Sequence, residues 1–229
     1  PLQPDHPISD HVKLHGDGVR DIALWVDDAE SAYTETTKRG ARGIMAPTIL
    51  KDENGELKKA SIAIYGDTVH SFIERKNYKG VFMPGYQPFA EDKLAEPIGL
   101  KYVDHCVGNV QLGSMNKWVE FYMTVMGFRL YQHFDDKDIS TEYSALMSKV
   151  MANGNDRIKF PINEPAPGRR KSQIEEYLEY YRTPGVQHIA MATDNIIDTV
   201  AQLSGRGVEF LRVPSTYYDE LQGRVGKID

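Results

Sequence analysis

Apolar and polar positions alternate in "GVRDIALWVD", residues 18–27, and again in "GVQHIAMATD", residues 185–194. Each run leads into a segment whose apolar residues return every three or four positions. Alternation puts successive side chains on opposite faces of a strand, and the longer spacing gathers them on one stripe of a helix. Aligning Gly18–Ile44 with Gly185–Leu211 at an offset of 167 (185 − 18) matches Gly18, Val19, Ile22, Ala23, Asp27, Arg39 and Gly40 with Gly185, Val186, Ile189, Ala190, Asp194, Arg206 and Gly207. The two stretches therefore read as one repeated unit. In each, the strand runs into an Asp expected to accept from the free N–H groups of the next helix. The helical stripe is Ile196, Ile197, Val200 and Leu203 in the later copy, and a weaker Ala29, Ala32, Tyr33 and Thr36 in the earlier one.

After the first helix, "KDENGELKKASIAIYGD" reads as a hairpin turning at Asn54-Gly55. The unit expected is thus β-α-β-β. The Gly- and Pro-rich "NYKGVFMPGYQPFAEDKLAEPIG" follows without a clear period and reads as a linker, with a boundary near Pro97. Beyond it, "VDHCVGNV" alternates as a strand. Trp118, Phe121, Tyr122, Val125 and Met126 form a helical stripe, capped by Ser114 and ended by Gly127. "STEYSALMSKVMAN" and "DRIKFPINEP" read as two more strands, and the strand of His188 opens a further unit. The expectation is an α+β fold of tandem β-α-β-β-type modules forming two open, cup-like barrels, the second incomplete. Residues 1–96 make a non-metal module with its linker, and residues 97–229 a metal-binding one.

Composition narrows the function. With 41% apolar and 26% charged residues the chain is globular rather than disordered. Its net charge of −6 is interspersed, so no basic stripe is available to track a nucleic-acid backbone. The single cysteine, Cys106, excludes an intrachain disulfide and a paired-Cys zinc ribbon, which suits a reducing cytoplasm. No apolar run approaches the roughly 18 residues of a membrane span. The chain opens at Pro1 and stops after a charged, helix-like stretch, so both ends are expected to be cut from a longer polypeptide.

Two of the seven histidines, His105 and His188, lie inside strand patterns, each on the first strand of a unit in the second half. Parity puts His105 on a face with Val103, Val107 and Asn109, and His188 with Val186, Ala190 and Ala192. A lone strand histidine is usually a hydrogen-bonded core residue. Two at matching positions in paired units would face each other across a cavity. Two neutral imidazoles plus one carboxylate hold non-haem Fe(II) facially with three positions open. The carboxylate is missing from the pattern. Asp21, which occupies the position of His188 in the earlier copy, is read as a packing residue; together with Glu74 it could otherwise imitate a weak metal pair.

The chain resembles the 4-hydroxyphenylpyruvate dioxygenase family of the vicinal oxygen chelate superfamily. The resemblance runs from "HGDGVRDIALWVDD" through "VDHCVGNV", "TEYSALMS", "PINEPAPGRRKSQI" and "GVQHIA" to "EFLRVPSTYYDEL". Its most specific part is Pro161-Ile162-Asn163-Glu164-Pro165 followed by Lys171-Ser172-Gln173-Ile174. The resemblance implies an Fe(II) enzyme with its first two iron ligands at His105 and His188, and its third, a glutamate, in a region absent from this chain. It implies substrate contacts at Ser148, Asn163, Gln173 and Gln187, although parity sets Gln187 on the strand face opposite His188. The reaction implied takes a 2-oxo acid and O2, releases CO2, hydroxylates the ring and moves the acetic side chain to give homogentisate in tyrosine and phenylalanine catabolism.

Neutral amides and a hydroxyl would meet a phenol without adding charge. Read from spacing alone, the bland reading leads for each: Ser148 as a strand surface residue, Asn163 as a turn former between prolines, and Gln173 as an exposed helix start; together with the resemblance, the pocket reading leads. Two alternatives stay open: a 4-hydroxymandelate synthase-like oxygenase on the same substrate, and a non-catalytic binding piece. With its third ligand missing, residues 1–229 alone are expected to be inactive. A module without metal is also compatible with a homo-oligomer interface.

Overall fold

The computed structural model describes residues 3–89, 96–134, 145–166 and 171–213, then 217–219, 221, 223 and 226. Part of the linker, the start of the strand read from Ser140 and residues 167–170 of "PAPGRRKS" lie outside the described residues. The elements are α1 (Pro7–His15), β1 (Asp21–Trp25), α2 (Ala29–Lys38), β2 (Gly43–Asp52), β3 (Gly55–Ala63), β4 (Val69–Glu74), β5 (Leu100–Asn109), α3 (Met115–Thr124), β6 (Arg129–Phe134), β7 (Ala145–Ala152), β8 (Lys159–Ala166), α4 (Gln173–Tyr181), β9 (Gly185–Thr193) and α5 (Ile196–Gly205). None of the described helices is long and apolar enough to cross a membrane.

Two open mixed sheets result, ordered β1-β4-β3-β2 and β6-β7-β8-β5-β9. In each the first strand pairs in parallel with the last of its unit, β1 with β4 and β5 with β8, while the remaining pairs given in register are antiparallel. The repeated unit is therefore β-α-β-β-β, one strand longer than the hydrophobic pattern predicts. β4 escapes that pattern because Val69, His70, Ser71 and Phe72 are all buried, so neither face is marked by polarity. β6 escapes it because "RLYQHF" begins only two residues after Gly127, which the pattern reads as the end of the helix.

The helices of the aligned stretches hold the same offset of 167 at both ends (196 − 29 and 205 − 38). Their caps sit one residue later than expected. Asp28, not Asp27, accepts from Glu30 N and Ser31 N; Asn195, not Asp194, accepts from Asp198 N. The asparagine can be placed in the extended conformation that a cap needs because the strand has already ended.

The chain divides into two compact units, Pro1–Glu91 with Val103–Met191, and Asp92–Tyr102 with Ala192–Asp229. The position near Pro97 separates the two sheets, but the main core of the first unit draws on both sides of it. Ile22, Ile64 and Tyr65 pack there with Cys106, Val110, Met115, Tyr122, Phe160 and Ile162. In the second unit, the Thr199 hydroxyl on α5 donates to the carbonyl of Ile98 over 2.9 Å, and Lys101 pairs with Asp194.

A polar chain threads the first unit's core. His70 on β4 is fully buried; its Nδ1–H donates to the Ile22 carbonyl over 2.9 Å, and its Nε2 accepts from the Tyr122 hydroxyl of α3 over 2.9 Å. Both ring nitrogens are thereby used by the neutral imidazole. Burial pushes the His70 pKa down to about 4, against 6.5 in an unfolded chain. The folded state therefore binds this proton less readily than the unfolded one. The stabilising contribution is complete above pH 6.5 and is lost as pH falls from 6.5 towards 4. Unfolding by urea is expected to require about 3 kcal/mol less at pH 4 than at pH 7 on this account. A His70→Gln variant should show a flatter pH profile, which equilibrium denaturation at stepped pH would measure.

Candidate functional site

β5 and β9 are neighbours in the second sheet, and this adjacency brings His105 and His188 together with ring centroids 5.8 Å apart and planes tilted by 74°. In both cases the residue immediately before the histidine holds its ring. Asp104 Oδ2 takes the Nδ1–H of His105 over 2.8 Å, and Gln187 Oε1 takes that of His188 over 2.8 Å. A carboxylate oxygen and an amide oxygen can only accept, so Nδ1 is the donor in each ring. In the neutral form of each ring Nε2 then carries the lone pair. The Lys159 ammonium also donates to Asp104 over 2.8 Å, and the two hydrogen bonds hold the Asp104 carboxyl below the usual carboxylate range. Partial burial, and then the charge of His105, lower the pKa of His188 and favour the neutral ring that a metal requires.

Two imidazoles, each supported at Nδ1 by the preceding residue, fit in their neutral forms the histidine part of a facial Fe(II) set. No group of three or more His, Cys, Asp or Glu placed to hold a metal occurs among the described residues. The carboxylates of the first sheet do not pair into a metal site either. Asp21 accepts from Lys59 and from the Ser71 hydroxyl, whereas Glu74 is paired with Lys76 and accepts from Ala29 N at the start of α2.

Sequence alone did not single out Asp104, although its signal is visible in retrospect. A side chain able to accept a hydrogen bond precedes the histidine in both "DH" and "QH". The contact also gives Gln187 the indirect role that its parity requires, as an acceptor for the neighbouring imidazole. Gln187 and His188 line a cavity of 390 Å³ together with Tyr177, Tyr180, Tyr181 and Val186. The tyrosines of α4 also explain why both aligned stretches open with glycine. A Cβ at Gly18 would lie 2.6 Å from the Tyr181 ring, and one at Gly185 would lie 2.4 Å from the Tyr177 hydroxyl.

The Pro-Ile-Asn-Glu-Pro run lies within strand β8, as its pattern predicts, and its alternation separates two tasks. Ile162 packs in the core, and the Glu164 carboxylate on the same face accepts from Met115 N over 2.9 Å. Glu164 thus caps α3, the role expected of Ser114, whose side chain makes no capping bond. Asn163 lies on the other face, in register with Ser148 on β7, and both are buried. Gln173 begins α4 and is exposed; it shares no hydrogen bond with the other candidate residues among those described. The structure therefore joins His105, His188 and Gln187, places Ser148 beside Asn163, and leaves Gln173 apart.

Residues 102–224 match the family model described as Glyoxalase/Bleomycin resistance protein/Dioxygenase superfamily. The chain belongs to that superfamily. Among curated relatives of this superfamily member, 4-hydroxyphenylpyruvate dioxygenase of Yarrowia lipolytica is 46% identical over 222 residues, covering 95% of this chain and 56% of the relative. The enzyme of the same name from Dictyostelium discoideum is 47% identical over 222 residues, covering 95% and 60%. The chain thus spans little more than half the length of these relatives. Among solved structures, a triple mutant of 4-hydroxymandelate synthase from Streptomyces coelicolor is similar with a TM-score of 0.80 at 28% identity, over 97% of this chain and 63% of the other. A xylose isomerase-like TIM barrel/4-hydroxyphenylpyruvate dioxygenase fusion protein shares the fold, with a TM-score of 0.67 at 23% identity over 96% of this chain and 33% of the other.

Proposed function

We propose that the protein is an Fe(II)-dependent dioxygenase that converts 4-hydroxyphenylpyruvate and O2 to homogentisate and CO2 in cytoplasmic tyrosine catabolism. The observation that carries this reading is the pair of imidazoles on β5 and β9, each fixed through Nδ1 by the preceding residue and each presenting Nε2. With a third, carboxylate ligand such a pair would hold Fe(II), which when bound would supply a site for the 2-oxo acid and for O2 together. The chain's own work is positional. Asp104 and Gln187 set the tautomers; Ser148 and Asn163 offer a buried neutral surface to the phenol; Gln173 would join them from the start of α4. We place the third ligand, a carboxylate, in a segment that the longer relatives carry in addition, and treat residues 97–229 as belonging to the metal-binding module. The 229 residues alone are accordingly proposed to be inactive. The full-length protein, loaded anaerobically with Fe(II) and supplied with the 2-oxo acid, should consume O2 and yield homogentisate; absence of both would reject the proposal.

A second reading, hydroxylation of the same substrate at its side chain, is supported by the TM-score of 0.80 to a 4-hydroxymandelate synthase. Mass spectrometry of the product distinguishes hydroxymandelate from homogentisate directly. The higher identity of the curated dioxygenases, 46% and 47%, favours homogentisate.

Replacing Asn163 or Gln173 with Leu should leave iron content unchanged while lowering homogentisate formed per O2. For the buried Asn163 the loss in kcat/KM is expected to be about tenfold or more, the scale of one lost hydrogen bond in a closed site. Unchanged yield in both variants would return these residues to purely structural roles.

A further inference from the structure

One residue of this site is marked by a buried polar group without a partner. Cys106 on β5 and Val110 just after it join the core, and a Cβ at Gly108 would lie 2.5 Å from the Tyr65 ring. Even-numbered positions of β5 thus face the core, and alternation sets His105, Val107 and Asn109 on the opposite face. Asn109 is in register with Asn163 on β8, and Asn163 with Ser148 on β7. Three neutral polar side chains therefore stand in one row across adjacent strands, on the face that carries His105.

All three are buried, Asn109 completely. The backbone beside it is satisfied, since Val110 N donates to the Asn163 carbonyl over 2.9 Å. Its side chain is not: neither the oxygen nor the nitrogen of the carboxamide has a hydrogen-bond partner among the described residues. Asparagine is a poor strand former, and an empty buried amide costs the fold more than an apolar side chain of the same size would. Its presence there calls for a ligand that fills both its donor and its acceptor.

We propose that Asn109 is a further substrate-positioning residue, whose carboxamide acts with Ser148 and Asn163 to hold the ring hydroxyl of an aryl 2-oxo acid. This rests on the function proposed above. A phenol donates one hydrogen bond and accepts others, which matches an amide offering both. Asn109 lies four positions beyond His105 along β5, about 13 Å of strand. With the acid end of the substrate at the imidazoles, the opposite end of the ring points along β5 towards Asn109.

The test compares full-length wild type with Asn109→Leu and Asn109→Ala, using 4-hydroxyphenylpyruvate and phenylpyruvate, which lacks the ring hydroxyl. With iron loaded, kcat/KM for the hydroxylated acid should fall about tenfold to a hundredfold, while that for phenylpyruvate is unchanged. Iron-free Asn109→Leu should unfold at the same temperature as wild type or higher, because an unsatisfied amide has been removed. Equal losses on both acids, no loss on either, or a lower unfolding temperature for the Leu variant would overturn the proposal. A wild type that turns over neither acid would instead reject the proposed function, and Asn109 would then be judged by anaerobic calorimetry. Discrimination between the two acids that is present in wild type and lost in both variants supports the role; discrimination that is absent from wild type or kept in the variants overturns it.

Discussion

A His188→Ala variant of the full-length protein is expected to lose turnover to background and most of its Fe(II), with its helical circular dichroism intact. Removing a supporting partner of a metal-binding histidine costs roughly 10–100-fold in affinity or activity. Removing the histidine itself takes away the Nε2 donor and leaves one imidazole, His105, where two stood at 5.8 Å. Gln187→Leu provides the graded comparison, because it deletes the acceptor 2.8 Å from Nδ1 but keeps the ring. It should fall between wild type and His188→Ala in both iron content and rate. His188 is exposed, so its truncation opens no core cavity, and a loss of iron cannot be attributed to unfolding. If His188→Ala keeps its iron and its activity, the metal site is not at this pair.

The largest stability effect is expected at Gly108, on the core face of the strand that carries His105. A Cβ there would lie 2.5 Å from Tyr65 Cζ and 2.6 Å from its hydroxyl oxygen. Tyr65 has no exposed surface into which it could retreat, and it packs edge-on against Trp118 at 5.7 Å. Gly108 also registers with Ile162 of β8, which is likewise fully buried. Gly108→Val must therefore shift backbone or force the tyrosine off its rotamer, at about 3 kcal/mol. At this chain length each kcal/mol moves Tm by roughly 2–4 °C, so thermal unfolding should fall by about 10 °C. Gly113→Ala serves as the comparison. It bears a φ of +78° with nothing within 4 Å of a Cβ, so it should cost only the left-handed backbone strain of about 1–2 kcal/mol. Pairing Gly108→Val with Tyr65→Leu should recover part of the loss, a coupling that distant substitutions would not show.

The two predictions meet on one strand. β5 carries the candidate ligand His105 on one face and Gly108 beneath Tyr65 on the other, and Tyr65 comes from the first half of the chain. The half that contributes no candidate iron ligand thus supports the strand that does. His70 and Tyr122 make a second such tie, from β4 to α3.

How far the sequence reached depends on whether the forces involved are local. Alternation and helical spacing located β1, β5, β9, α2, α3 and α5, because a half-buried strand or helix writes its buried face into its own residues. The offset of 167 survived into the structure for the same reason, and the histidines could be singled out because polar residues in an apolar strand violate that pattern. β4 carried no such mark, since both its faces are buried. The strand through Asn163 was legible in "DRIKFPINEP", but not its neighbours: only the pairing with β5 and β7 sets Asn163 beside Asn109 and Ser148. The cap on α3 comes from Glu164, 49 residues further along the chain, and no local rule anticipates an acceptor delivered by another strand. The approach of His105 to His188, the empty amide of Asn109 and the contact of Tyr65 with Gly108 likewise depend on which strands lie side by side. Periodicity records which side of an element is buried; only the packed sheets decide what it is buried against.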